Sequence, residues 1–205
     1  MRKSLIVVGL AAVALVTGCS SGSNDMGGMQ HNSTAASTPA SDQQAADHND
    51  HDVQFAQEMI AHHQQALDMA KMVPGKSTNP KVTDLAKRIE GAQDPEIKTM
   101  TAWLSKWGAS PAASTMPSMD HGSTGHGSGT GMMTADEMAK LGQATGAEFD
   151  RMWVEMMIKH HQGAIEMSKT HIEKGSNAES KKLAQDIITA QQAEITEMQG
   201  LLKQG

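Results

Sequence analysis

Cysteine is nearly absent from this 205-residue chain, and tyrosine is absent altogether. The one cysteine, Cys19, follows an Arg2-Lys3 pair and an apolar run from Leu5 to Val16. That run is too short to stay in a bilayer as a helix, and its small-residue end suits cleavage. Val16-Thr17-Gly18-Cys19 has the form of a bacterial lipobox. Residues 1–18 are therefore expected to be a lipoprotein signal peptide. Cys19 would be the lipidation site that anchors the chain to a bacterial membrane on its extracytoplasmic side; an ordinary secretory signal with a chance cysteine is the alternative. With Cys19 so used no thiol is left, which excludes disulfides and thiol chemistry and makes the fold rest on packing. No serine sits in a Gly-flanked strand-to-helix turn, so no enzyme is expected. Basic charge is scarce too. Without Arg2 and Lys3, 15 basic side chains face 23 acidic ones, a net of −8. That balance argues against nucleic acid as partner and suits a domain that tolerates cations. No stretch alternates with period two, so no sheet is expected.

What the chain has in excess is methionine and histidine, 17 and ten residues. Both are metal ligands, thioether for soft ions such as Cu(I) and imidazole for a wider set. Some lie in low-complexity stretches rich in Gly, Ser, Thr and Pro: a tether over 19–50 and a linker over 109–133. Met26, Met29 and His31 in the first, and Met116, Met119, His121, His126, Met132 and Met133 in the second, are expected to capture Cu(I) or Ag(I) loosely on flexible backbone.

The rest of the chain is written twice. Residues 52–107 pair with 150–205 at a constant offset of 98 without a gap, and 20 of those 56 pairs are identical. Among the retained residues are His62-His63-Gln64 and His160-His161-Gln162. Each copy reads as a helical hairpin, over 51–108 and 134–205. Asn49 or Asp50 caps a helix to about Met72, stopped by Pro74-Gly75, and Asn79-Pro80 opens a second to about Trp107. In the second copy Thr134-Ala-Asp-Glu137 is a capping box for a short helix to about Leu141. A long helix follows from Thr145-Gly146 to about Lys174, and a last one from Asn177 or Ala178 to the C-terminus. Phe55, Met59, His62, Ala66 and Met69 form one apolar stripe, and Ala56, Ile60, His63, Leu67 and Ala70 the adjoining one. Leu85, Ile89, Ala92, Glu96, Met100 and Trp103 form the stripe of the second helix. Neither hairpin can bury such a face alone, so the two are expected to pack as an all-α four-helix bundle.

Polar residues on an apolar stripe call for a reason. His62, Gln93 and Glu96, with their twins His160, Gln191 and Glu194, stand at nearly one level when each hairpin is folded about its turn. Both His pairs are then expected to meet at the bundle centre. One reading is a metal site, with Met59 and Met157 one turn before the histidines as soft donors. The other is a set of buried His–Glu pairs that register the helices. A di-iron site is not expected, because Glu58 stands four residues before His62 rather than three and its twin is Met156.

The double pattern Asp-x-x-Phe/Trp-x-x-x-Met-Ile-x-His-His-x-x-Ala-x-x-Met, each followed by Leu-Ala-x-x-Ile-x-x-x-Gln-x-x-Glu-Ile-x-x-Met, resembles the bacterial domain of unknown function 305. The resemblance implies export, a ferritin-like four-helix bundle of two tandem units and a role in copper or other metal binding. Carried onto this chain, it implies His62, His63, His160 and His161 as metal residues, with Met59, Met69, Met157 and Met167 beside them. Glu96 and Glu194 would be ligands or would orient the imidazoles. The expected function is a copper-binding lipoprotein that buffers or delivers ions. The alternative is a non-catalytic interaction module of the envelope.

Overall fold

The computed structural model describes residues 47–111 and 131–203. Cys19, the signal peptide, Met26, Met29, His31, Met116, Met119, His121 and His126 lie outside the described residues. The described residues form five helices, α1 (Asp50–Met72), α2 (Pro80–Lys106), α3 (Ala135–Gln143), α4 (Gly146–Lys174) and α5 (Ala178–Leu202), and no strand. The local signals act as expected. Asn49 caps α1 through the N–H groups of His51 and Asp52. Asn79 caps α2 ahead of Pro80, and Asn177 caps α5. The Thr134–Glu137 capping box opens α3. α4 has no side-chain cap. Its first residue, Gly146, at φ 61°, instead donates its N–H to the Lys76 carbonyl in the α1–α2 turn at 2.7 Å.

Two hairpins, α1–α2 and α4–α5, make the bundle, and α1 meets α4 along an antiparallel seam. Its direction follows from the pairs that cross it. Phe55 stacks on His171, ring centroids 4.0 Å apart, and the Trp153 indole N–H donates to the Met69 carbonyl at 3.0 Å. That carbonyl is free for it because Val73 at the end of α1 bonds Ala70 instead. Burying Phe149, Trp153, Leu85 and Ile89 contributes on the order of 2 kcal/mol each. The end of α2 lies beside the start of α1, where His48 stacks on Trp107 and Asp47 pairs with Lys106. α4 starts at the α1–α2 turn, so the two ends of the α2–α4 connection lie at opposite ends of the bundle.

Two local expectations give way, and the repeat itself departs at one aspartate pair. Ala92, expected on the stripe of α2, is exposed, while Gln93 is buried as a polar residue on that stripe. The linker reading fails at its last residues. Met133 is buried and exchanges two backbone hydrogen bonds with the Gln65 amide, at 2.7 and 2.9 Å. Gly131, at φ 73°, runs so close to α4 that a Cβ would meet the Lys159 carbonyl oxygen at 2.4 Å. Asp52 and Asp150 are also no longer twins. Asp52 is fully buried in the first turn of α1, where it accepts from the Asn49, Ser176 and Asn177 N–H groups and the Ser180 hydroxyl. Asp150 lies farther into its helix, with a buried Oδ1 that meets no partner. α4 begins two residues earlier than the repeat requires, with Gly146 where α1 has His48 beyond its cap.

The Asp52 clasp tolerates nothing larger at the α4–α5 turn. A Cβ on Gly175 would meet His171 Cε1 at 2.4 Å and Asp52 Oδ1 at 2.8 Å, whereas Gly142 in α3 faces open space. Gly175→Ala is expected to lower unfolding free energy by about 1–3 kcal/mol through overpacking. Gly142→Ala is expected to raise it by up to about 1 kcal/mol. Urea denaturation of both variants measures the contrast.

Candidate metal centre

The antiparallel seam brings the two retained histidine pairs together at mid-length. His62 and His160 lie ring against ring across it, with centroids 3.7 Å apart and planes inclined by 36°. His63 and His161 flank them at 6.5 and 6.4 Å from their chain neighbours. All four side chains are buried, none more than 1 % exposed. The glutamates bind the outer histidines. His63 Nε2 is joined to Glu96 Oε2 at 2.6 Å and His161 Nε2 to Glu194 Oε2 at 2.7 Å. The levelling of Glu96 and Glu194 with the histidines is thus realised, but through His63 and His161 rather than His62 and His160. Each His–Glu bond lies inside one hairpin, and the His62–His160 contact joins the two hairpins.

The thioethers take three different places. Met59 and Met157 are fully buried one turn from the level, but in separate halves of the core, Met59 beside Met100 and Leu104 and Met157 among the residues around Trp153. Met69 and Met167 lie about two turns away. Met69 is buried, and Met167 is half-buried at an open groove between α1 and α4.

Polar atoms without protein partners gather at and next to the histidine level. They include Nδ1 of His63 and His161, both amide atoms of Gln93 and Oε1 of Gln191. Each such group costs on the order of 1–3 kcal/mol relative to a bonded one. Burial holds the His160 pKa well below the ordinary imidazole value, and the neighbouring His62, His161 and His63 push it in the same direction. The ring is therefore neutral at physiological pH, with lone-pair capacity intact. The donor chemistry fits a soft or borderline cation. The geometry is not closed around one. Among the described residues no three His, Cys, Asp or Glu groups converge on a single point. The lone pairs of stacked imidazoles lie in their ring planes, so an ion held by both His62 and His160 requires one ring to turn.

A second buried polar cluster escaped the sequence reading. His171 stacks on Phe55, and its Nε2 lies 2.9 Å from Ser180 Oγ, which also donates to Asp52 at 2.8 Å. Burial lowers the His171 pKa, and the Asp52 charge opposes that. For Asp52 itself burial acts upward but is outweighed by hydrogen bonds from Asn49, Ser176, Ser180 and Asn177, which hold it at about 2. The available signal was the position of His171 on the buried stripe of α4, eleven residues beyond His160. It has no twin, since the matching residue is Val73.

Comparison with known proteins places this arrangement. The family described as domain of unknown function, DUF305, matches over residues 52–202. The chain belongs to the DUF305 family. A DUF305 protein of Streptomyces coelicolor described as secreted superposes with a TM-score of 0.66 at 32 % identity, covering 75 % of this chain and 93 % of that one. CopM in its Cu(II)-bound form superposes with a TM-score of 0.61 at 35 % identity, covering 75 % of this chain and 96 % of CopM. CopM has also been solved in Cu(I)-bound and Ag-bound forms. An uncharacterized protein of Acanthamoeba polyphaga mimivirus is 43 % identical over 53 residues, 26 % of this chain and 35 % of that protein, so the match spans about a third of its length. The DUF305 match begins at Asp52 and takes in both histidine pairs, so the doubled hairpin is the family unit. No described helix is long and apolar enough to cross a membrane.

The depressed His160 pKa sets a sign. The unfolded chain takes up a proton below about pH 6.5 that the folded chain refuses, so stability is complete above that value and falls as pH drops toward the folded pKa. Asp52 acts in the same direction lower down, its contribution present above the unfolded value of 3.8 and lost as pH falls toward 2. Melting temperature is expected to fall from pH 7 to pH 5 and again below pH 4. Thermal denaturation of His160→Gln should show a smaller first fall and an unchanged second one.

Proposed function

We propose that this chain is a non-catalytic, lipid-anchored extracytoplasmic protein that binds copper and buffers or delivers it through its histidine level. The observation that carries the reading is the buried His62–His160 contact, set among imidazole nitrogens and amides that have no protein partner. A cation bound there would recover the cost of those orphaned groups, which the bundle alone leaves uncompensated. CopM, with the same fold at 31–35 % identity, has been solved with Cu(I), Cu(II) and Ag, which supports a soft or borderline ion as cargo. In this reading His62 and His160 are the main ligands. His63 and His161 are oriented by Glu96 and Glu194, a second layer that fixes ring orientation and tautomer. Met59 and Met157 stand a turn away in the sequence as the soft donors of this reading. Lipidation at Cys19 would hold the bundle at the membrane.

One observation favours a different class of function. The two His–Glu bonds satisfy both outer pairs within their own hairpins, as polar registers of a bundle would. In that reading the protein is an interaction module and its histidines are architecture.

Titration of the mature chain with Cu(I) against a chelator separates the two. His62→Ala combined with His160→Ala is expected to weaken the tightest site by more than about 100-fold while far-ultraviolet circular dichroism stays near that of the parent. Unchanged uptake with a collapsed melting temperature would instead assign the level to the architecture.

A further inference from the structure

The internal repeat makes the two ends of the α1–α4 seam comparable, position by position. At one end a groove is open, lined by Gln54, Phe55 and Glu58 of α1 and by Met167, Thr170 and Lys174 of α4. The residues 98 positions away mark the matching groove at the other end: Met152, Trp153 and Met156 of α4, Met69 and Met72 of α1, and Lys76 in the α1–α2 turn. That groove is covered. Lys76 reaches the Gly142 and Ala144 carbonyls at the end of α3, Lys159 pairs with Glu137 near its start, and Gln65 holds Met133 just before it. α3 runs between these anchors, and its Met138 is half-buried against the same core as the half-buried Met72, Met152 and Met156.

The substitution pattern between the two grooves is directional. Gln54, Glu58 and Thr170 in the open groove correspond to Met152, Met156 and Met72 in the covered one. Packing α3 down needs apolar side chains, but leucine or isoleucine would supply the same area with stiffer rotamers. Methionine at three changed positions, with a fourth brought by the cover, adds polarizable sulfur donors from three elements. The donors are neutral, which suits a monovalent soft ion and offers little to a hard divalent one. They are also half-buried, so an ion reaches them without the bundle opening, unlike the sealed histidine level.

We propose that the groove beneath α3 is a second soft-cation site, in which the thioethers of Met72, Met138, Met152 and Met156 take Cu(I) or Ag(I). The site stands apart from the histidine level and rests on the copper reading only for the identity of the ion. α3 is then part of the site as well as its cover.

The test follows Ag(I) added to the full mature chain carrying 13C-methyl methionine. The methyl resonances of Met72, Met138, Met152 and Met156 are expected to shift together and report one bound equivalent, in the parent, where it binds in addition to the central site, and in His62→Ala/His160→Ala alike. Replacing all four by leucine is expected to remove one equivalent of Ag(I), with melting temperature changed by only a few degrees. Groove methyls that stay still while the parent saturates overturn the proposal, and so does parental stoichiometry in the leucine variant. Complete loss of binding in the histidine variant overturns it as well and leaves the central site standing. Binding in that variant unchanged in amount and confined to the groove methyls sustains it and removes the central site.

Discussion

Four imidazoles buried at the middle of the α1–α4 seam are the constraint around which the remainder of the bundle is arranged. Desolvation disfavours charge on His160, and the neighbouring rings disfavour it further, so that ring stays neutral, well below its ordinary pKa. Each outer ring turns its Nε2 to a glutamate of its own hairpin partner, which fixes the register of α1 on α2 and of α4 on α5. The inner rings touch each other and fix the register of one hairpin on the other. Apolar packing supplies most of the driving force, but it is indifferent to a slide of one turn along a helix. The histidine level is not.

Duplication produced two halves that later took separate courses. At one end of the seam Asp52 ties the start of α1 to the α4–α5 turn, with His171 and Phe55 packed beside it. At the other end the matching aspartate has lost this geometry, because α4 starts differently, and a glycine contact to Lys76 stands in its place. There the seam is closed by Trp153 and by α3. One end is polar, clasped and open to solvent; the other is rich in thioethers and covered.

Much of this was legible in the residues. Helix limits followed from Asn49, Asn79, Thr134 and Asn177, because a cap acts on its own first turn and needs no tertiary context. The bundle and the meeting of the histidines followed from helical periodicity applied twice. What was not legible depends on distance or on rotation. Whether Glu96 takes His62 or His63 turns on about 100° of helix rotation, and both stripes of α1 are buried, so periodicity alone cannot choose. Ala92 left the stripe for the same reason. The Asp52 clasp joins residues more than 120 positions apart, and no local pattern announces it. Met133 sat in a stretch whose composition reads as linker; its order comes from Gln65, a residue of another helix.

The antiparallel seam also has a kinetic side. Each hairpin is built from near neighbours in the chain and can form early. The contacts that join the hairpins, His62 to His160 and Asp52 to Ser176, span about half the chain and are formed only after a long loop has closed. Each hairpin alone leaves its histidine-bearing face in water, so the dry environment that keeps His160 neutral exists only in the assembled bundle. Whatever chemistry that level performs is therefore acquired in the last step of folding.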